Sequence, residues 1–81
     1  MILPGKHLRQ DRALLGVGAE ILAELDEARS VSELWERVRR ARNDARATPV
    51  SFDWFVLSLT FLYAISAVDF DEGIIHFRTT R

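Results

Sequence analysis

Apolar residues recur at helical spacing in three segments of the chain, which predicts helices over residues 11–25, 31–46 and 51–66. The second segment opens with Ser30-Val31-Ser32-Glu33, a capping box whose side chains satisfy free N–H groups of the first helical turn. Ser51 is expected to cap the third helix through its hydroxyl group. The pattern therefore predicts three successive helices, with a short turn before the third.

The C-terminal segment, residues 67–78, has two short apolar runs around Asp71-Glu72-Gly73, which is typical of a β-hairpin with a glycine-containing turn. Residues 1–10 contain Pro4-Gly5 and show no helical period, which predicts an extended N-terminal arm. Three helices followed by a hairpin is the winged-helix order. The sequence thus predicts a single α+β, winged-helix-like domain over residues 1–81.

The third predicted helix has two apolar stripes, whereas a helix at the surface of a small domain needs only one. At about 100° per residue, the first stripe consists of Phe52, Phe55, Val56, Leu59 and Leu62. The second consists of Trp54, Leu57, Phe61, Ala64 and Ile65. Ser58 is one of the polar residues expected to divide them. Two interpretations of the second stripe stay open: the hairpin and the arm of the same chain cover it, or another protein does.

The position of this helix in the chain is that of the base-reading helix in a helix-turn-helix protein. The segment Phe52–Ile65 nevertheless contains no Lys, Arg, Asn or Gln. Those side chains read base edges by hydrogen bonding, which apolar side chains cannot do. The helix therefore favours a protein partner, with Trp54 and Phe61 as aromatic anchors of the interface.

Composition limits the functional classes. The chain has 81 residues, enough for one domain, and its net charge of -1 gives no global attraction to nucleic acid. It is 48% hydrophobic, which is rich for a small soluble domain and suggests that some apolar surface is covered by another molecule. The N-terminus does not resemble a secretory signal, and the longest uncharged run is too short to span a membrane. A soluble cytoplasmic protein is expected.

Catalytic and metal-binding patterns are weak throughout the sequence. No cysteine is present, which excludes thiol catalysis and cysteine-based zinc sites. His7 and His76 lack companion ligands at metal-binding spacing. Asp69 and Asp71 fall near a predicted turn, where water would surround both carboxylates. We therefore expect no catalytic residues, no metal and no cofactor, and hence no enzymatic activity of this chain alone.

Arginines cluster in the second predicted helix, where Arg39, Arg42 and Arg46 are spaced to share one face. Such a face could contact DNA phosphates, which supply most non-specific affinity for nucleic acid. Most charge runs are simply solvated surface, and Glu33 and Glu36 lie nearby to neutralise part of this one. Both interpretations stay open.

Several short motifs together resemble a known family. They are Met1-Ile2-Leu3-Pro4, Lys6-His7, Leu14-Leu15-Gly16 with Gly18, Val31-Ser32-Glu33-Leu34-Trp35, Phe52-Asp53-Trp54-Phe55 and the acidic-glycine hairpin. The chain is similar to the sixth type of middle component of bacterial ABC-three-component conflict systems. The resemblance extends over nearly the whole chain.

This resemblance implies a non-catalytic adaptor that bridges an SMC/Rad50-like ABC ATPase and a larger effector subunit in an anti-phage or anti-plasmid defence complex. The protein contacts are expected at Ile2, Leu3, Pro4, Lys6, His7, Trp54, Leu57 and Phe61. One alternative is a DNA-binding winged-helix regulator that uses the arginines of the second helix. A third possibility is a homodimer that pairs the second stripe across a twofold axis.

Overall fold

The computed structural model describes the backbone of residues 4–78 and the side chains of residues 13–78. The elements in chain order are α1 (Pro4–Ala23), β1 (Arg29–Ser30), α2 (Val31–Asp44), α3 (Phe52–Ala64), β2 (Val68–Asp71) and β3 (Ile74–Phe77). The antiparallel strands form one sheet in the order β1-β3-β2. The prediction of an α+β fold with three helices and a C-terminal hairpin is confirmed, and the element order is compatible with a winged helix.

The N-terminal segment differs from its prediction. α1 begins at Pro4, so the extended arm expected over residues 1–10 is wrong for residues 4–10, while residues 1–3 lie outside the described residues. Proline is favourable in the first helical turn, because N–H groups there have no partner within the helix and its fixed φ suits the helical backbone. Pro4 therefore starts the helix that it was expected to prevent.

Both predicted serine caps are confirmed. The Ser30 hydroxyl accepts a hydrogen bond from the Glu33 N–H at 3.1 Å, and the Ser51 hydroxyl accepts one from the Trp54 N–H at 3.2 Å. Each bond satisfies one of the free donors at a helix N-terminus. These two serines thus determine where α2 and α3 begin.

The C-terminal ends of α2 and α3 come slightly earlier than expected, and both helices end in the same way. Arg46 and Ser66 have left-handed backbones, with φ of 56° and 66°. After α2, the Ala47 N–H donates to the Arg42 carbonyl at 2.9 Å, which is the longer bond of a Schellman motif. This turn stops α2 at Asp44 and directs the chain toward α3.

Packing of α1 against α3 organises the core. A Cβ atom at Gly18 would lie 3.4 Å from the Leu62 side chain, an ordinary van der Waals distance, so Gly18 lies directly against α3. Gly16 does not do so, because nothing lies within 4 Å of its Cβ position. The buried apolar residues are Val17, Ile21, Leu25, Leu34, Val38, Phe55, Leu62, Val68 and Ile75.

Arg29 is a buried charged residue that the sequence analysis missed. It is 5% exposed and lies in β1, which the pattern also failed to predict because the strand has only two residues. Its guanidinium donates to the Glu24 carbonyl at 2.8 Å, to Asp26 at 2.6 Å and to Glu33 at 2.7 Å. The arginine therefore ties the end of α1 to the start of α2.

We expect this cluster to make stability depend on pH. The hydrogen bond from Arg29 lowers the pKa of Asp26 below its ordinary value of 3.8. Because the folded-state pKa is depressed, the stabilisation is present above the unfolded-state pKa and is lost as pH falls through the folded-state pKa. Asp26→Asn should lower the urea midpoint at about pH 6, and the difference from the unmodified protein should shrink below about pH 3.

Asp44→Asn is the matched control, because Asp44 is exposed and makes no ion pair within residues 13–78. Its effect on the urea midpoint should be small at both pH values. An Asp26→Asn effect of the same size at both pH values would contradict the role assigned to the ion pair.

Ser58 offers a second test of the core. Its side chain is fully buried in α3, and its hydroxyl has no hydrogen-bond partner among the described residues. Because a buried unsatisfied hydroxyl is destabilising, Ser58→Ala should raise the free energy of unfolding by about 1 kcal/mol. Thr60→Ala is the control, since the exposed Thr60 hydroxyl donates to the Val56 carbonyl at 2.8 Å. Chemical denaturation of both variants checks this, and a less stable Ser58→Ala protein would refute it.

Candidate protein interface

The buried side of α3 runs along Phe55, Ser58 and Leu62. Ser58, expected to separate the two apolar stripes at the surface, instead lies at the centre of the packed side. Phe55 and Leu62 of the first stripe therefore belong to the buried side. The other residues of the two stripes lie on the flanks of the helix, where they are only partly covered. The sequence could not reveal this, because apolar residues on both sides of Ser58 left two possible orientations of the helix.

The flank formed by the second stripe is covered unevenly. Phe61 is half-buried and packs against the core, and Trp54 is also half-buried. Leu57 and Ile65, in contrast, are 51% and 55% exposed. The same chain therefore covers part of the expected interface, and of the three α3 residues predicted to contact a partner, Leu57 is the most accessible.

Trp54 lines an open cavity of about 540 Å³ between α1 and the start of α3. From α1 the cavity is lined by Ala13, Gly16, Val17 and Glu20. From the opposite side it is lined by Arg42, Pro49, Val50, Ser51 and Trp54. The exposed Gly16 contributes to this space, because no side chain extends from its backbone.

The N-terminal candidates belong to a helix and not to an arm. Pro4, Lys6 and His7 lie in the first two turns of α1, where the structure describes the backbone alone. Ala13 lines the cavity. At a rise of 1.5 Å per residue, His7 lies about 9 Å from Ala13 along the helix axis. Ile2 and Leu3 lie outside the described residues. The predicted N-terminal contacts would thus come from the first turns of α1.

The opposite flank of α3 is also apolar and accessible. Phe52, Val56 and Tyr63 are 49%, 39% and 54% exposed. Phe52 forms an edge-to-face contact with Trp35, at 5.3 Å between ring centroids, and so extends an aromatic cluster toward solvent. The outward side of α3 therefore has large apolar residues on both flanks, with Asp53 and Thr60 between them.

The three arginines proposed for DNA contact do not form one exposed row. Arg39 is exposed, donates to Glu36 at 2.9 Å and lies over the Trp35 ring at 5.9 Å. Arg42 is mostly buried: it pairs with Glu20 of α1 and donates to the Thr48 carbonyl at 2.8 Å. Arg46 lies beyond the end of α2 in a left-handed conformation.

Arg42 has a structural role that sequence spacing could not indicate. Its partner Glu20 is 22 residues away in the chain, so only the tertiary fold brings them together. One guanidinium joins α1, the end of α2 and the turn before α3. The pair thereby closes one side of the cavity that contains Trp54.

The turn of the hairpin is acidic. Asp71 and Glu72 are exposed there, and Gly73 has a φ of 82°, as the predicted glycine-containing turn requires. Near the base of the hairpin, Asp69 accepts a hydrogen bond from Arg78 at 2.7 Å. An acidic turn would repel the phosphates of DNA, so it does not assist nucleic-acid contact.

Within the part of the chain that the structure describes, no three His, Cys, Asp or Glu side chains come together to hold a metal ion. Among the same residues, no helix is long and apolar enough to cross a membrane. Asp69 lies opposite His76 in the β2–β3 pairing, and its carboxylate is bound to Arg78.

Comparison with known proteins agrees with these observations. Residues 3–76 match the family model of the ABC-three component (ABC-3C) system Middle Component 6. Searches of curated proteins and of solved structures found no significant match. Because the family model covers almost the whole chain, this protein belongs to the Middle Component 6 family of ABC-three-component systems.

Proposed function

We propose that this protein is a non-catalytic adaptor that bridges an SMC/Rad50-like ABC ATPase and an effector subunit in a cytoplasmic complex directed against phage or plasmid DNA. Membership of a middle-component family supports association with other components. The observation that carries the proposal is the apolar outward side of α3, with exposed Phe52, Val56, Leu57 and Tyr63. ATP hydrolysis and any effector chemistry would then lie in the partner subunits.

The exposed apolar side chains of α3 contact water in the free protein and would be removed from it by a partner. Fully burying a Leu or Phe side chain contributes about 1.5–3 kcal/mol relative to leaving it exposed. Several such side chains on one helix therefore give a partner a large gain at little cost in polar desolvation. Aromatic and large apolar residues are typical anchors of protein interfaces. The outward side of α3 thus has the composition of an interface core. Its few polar groups are better suited to orienting a bound partner than to catalysing a reaction.

Of the residues predicted to contact a partner, Leu57 and Trp54 suit the role best. Leu57 is half-exposed, and Trp54 opens onto the cavity beside α1. Phe61 also packs against the core, so its contribution to binding would be combined with one to folding. The first turns of α1, with Pro4, Lys6 and His7, extend the proposed surface beyond Ala13.

DNA binding is the alternative function. The exposure of Arg39 and Arg46 favours it, because both side chains are accessible to a phosphate backbone. The Arg39–Glu36 and Arg42–Glu20 pairs and the acidic hairpin turn oppose it. An adaptor could still use Arg39 and Arg46 to touch DNA that the ATPase already holds.

Leu57→Asp should weaken binding to at least one partner while leaving the fold intact, because the side chain is half-exposed. Loss of an interface anchor costs about 2 kcal/mol or more, which corresponds to roughly a thirtyfold rise in Kd. Titration of the purified ATPase and effector into the variant measures this directly. Trp54→Ser should act in the same direction.

Leu15→Asp is the control, since Leu15 is an exposed leucine of α1 that does not line the cavity beside Trp54. Circular dichroism should show equal helicity in all variants. Unchanged affinity of Leu57→Asp and Trp54→Ser for both partners would contradict the interface assignment.

The DNA alternative predicts a mobility shift of duplex DNA by the isolated chain at low salt. That shift should fall steeply as salt is added, and Arg39→Ala/Arg46→Ala should abolish it. The Arg39→Lys/Arg46→Lys variant preserves charge and should retain it. The adaptor proposal predicts no shift by the isolated chain, so a salt-sensitive shift that follows this pattern would favour a regulator.

A further inference from the structure

The inner face of the hairpin extends beyond the core. Val68 pairs with Phe77 and Phe70 pairs with Ile75, so these four side chains share one face of the sheet. Val68 and Ile75 are buried in the core, whereas Phe70 and Phe77 are 54% and 48% exposed. The face that the hairpin turns toward α3 is therefore only half covered by the helices.

Between this face and α3 lies an open groove of about 300 Å³. Its lining is Val31, Leu59, Thr60, Tyr63, Val68, Phe70 and Ile75. Val68 and Ile75 are buried, while Tyr63 and Phe70 are more than half exposed. The groove thus combines buried apolar residues with two accessible aromatic rings, as a docking site for apolar side chains requires.

The segment of the chain that forms most of the groove has a net negative charge. The segment of residues 50–78 contains Asp53, Asp69, Asp71 and Glu72 against one arginine, Arg78. Asp69, which is paired with Arg78, and Asp71 lie on the face of β2 opposite to Phe70. The carboxylates of this segment that are not on that face are Asp53 and Glu72, and neither makes an ion pair within residues 13–78. Asp53 precedes Thr60 by seven residues, and so lies on the same side of α3 as this groove residue.

We propose that this α3–hairpin groove binds an amphipathic segment of a partner subunit whose apolar side chains enter the groove and whose Lys or Arg side chains face Asp53 and Glu72. The inference rests on the proposed adaptor function and adds the chemistry of one partner. The groove lies on the flank of α3 opposite to Trp54 and Phe61. Two separate apolar surfaces would allow one small domain to hold two partners at once.

Charge identifies the occupant as a basic partner and not a second copy of this chain. In a twofold dimer the same patch meets itself, so the net negative α3–hairpin surfaces of two copies would face each other. Like charges across an interface oppose association, whereas complementary charges steer partners together. A basic amphipathic segment meets both the apolar and the electrostatic demands of the groove.

A direct test uses the isotope-labelled chain and two synthetic peptides. One peptide has leucine at helical spacing with lysine elsewhere, and the other has glutamate in place of lysine. The Leu/Lys peptide should shift the amide resonances of Thr60, Tyr63 and Phe70, and its affinity should drop at least tenfold in Tyr63→Ser/Phe70→Ser. Ile74→Ser is the control, because Ile74 pairs with Asp71 on the other face of the hairpin.

Equal binding of both peptides, shifts confined to other surfaces, or unchanged affinity of Tyr63→Ser/Phe70→Ser would overturn the inference. Co-purification with the ATPase and effector provides the second arm. Tyr63→Ser/Phe70→Ser should lose one partner and keep the other, whereas retention of both would overturn the groove assignment alone. If the unmodified chain retains neither partner, the adaptor function is refuted, and the peptide titration decides the groove by itself.

Discussion

The fold depends on the close contact between α1 and α3. Gly18 of α1 lies directly against Leu62, and the line of Phe55, Ser58 and Leu62 is buried in the centre of the domain. A helix buried along one line leaves both of its flanks near the surface. Because α3 is apolar on both flanks, the same contact that builds the core also creates the accessible surface on which the proposed function depends. Stability and recognition are therefore coupled in this helix.

Polar residues hold the periphery in place around that contact. Arg29 links the end of α1 to the start of α2, and Arg42 links α1 to the turn that precedes α3. Both arginines are largely buried and hydrogen-bonded to main-chain carbonyls as well as carboxylates. Arg42, one of the three arginines proposed for DNA contact, is thus used to fix the helices relative to one another. The accessible apolar surface remains the feature best suited to a partner.

Local signals in the sequence identified the parts of the fold that depend on neighbouring residues. Ser30 and Ser51 marked the helix starts, and the hairpin followed from its apolar runs and Gly73. Features set by the tertiary structure could not be predicted from the sequence. Examples are the buried position of Ser58 and the Arg42–Glu20 pair. Pro4 was misinterpreted because proline can either end a helix or begin one. The two apolar stripes of α3 correctly indicated that this helix has more apolar residues than one buried side requires. Which of these residues remain accessible depends on how α1 packs against α3.

The central claim is that apolar side chains on the outward side of α3 are accessible in the free protein and covered in the complex. Hydroxyl-radical footprinting of the chain, alone and with its ATPase and effector partners, measures this residue by residue. We expect Phe52, Leu57 and Tyr63 to react readily in the free chain and to become protected in the complex, while Leu15 stays reactive. Equal reactivity of the first three in both states would contradict the account.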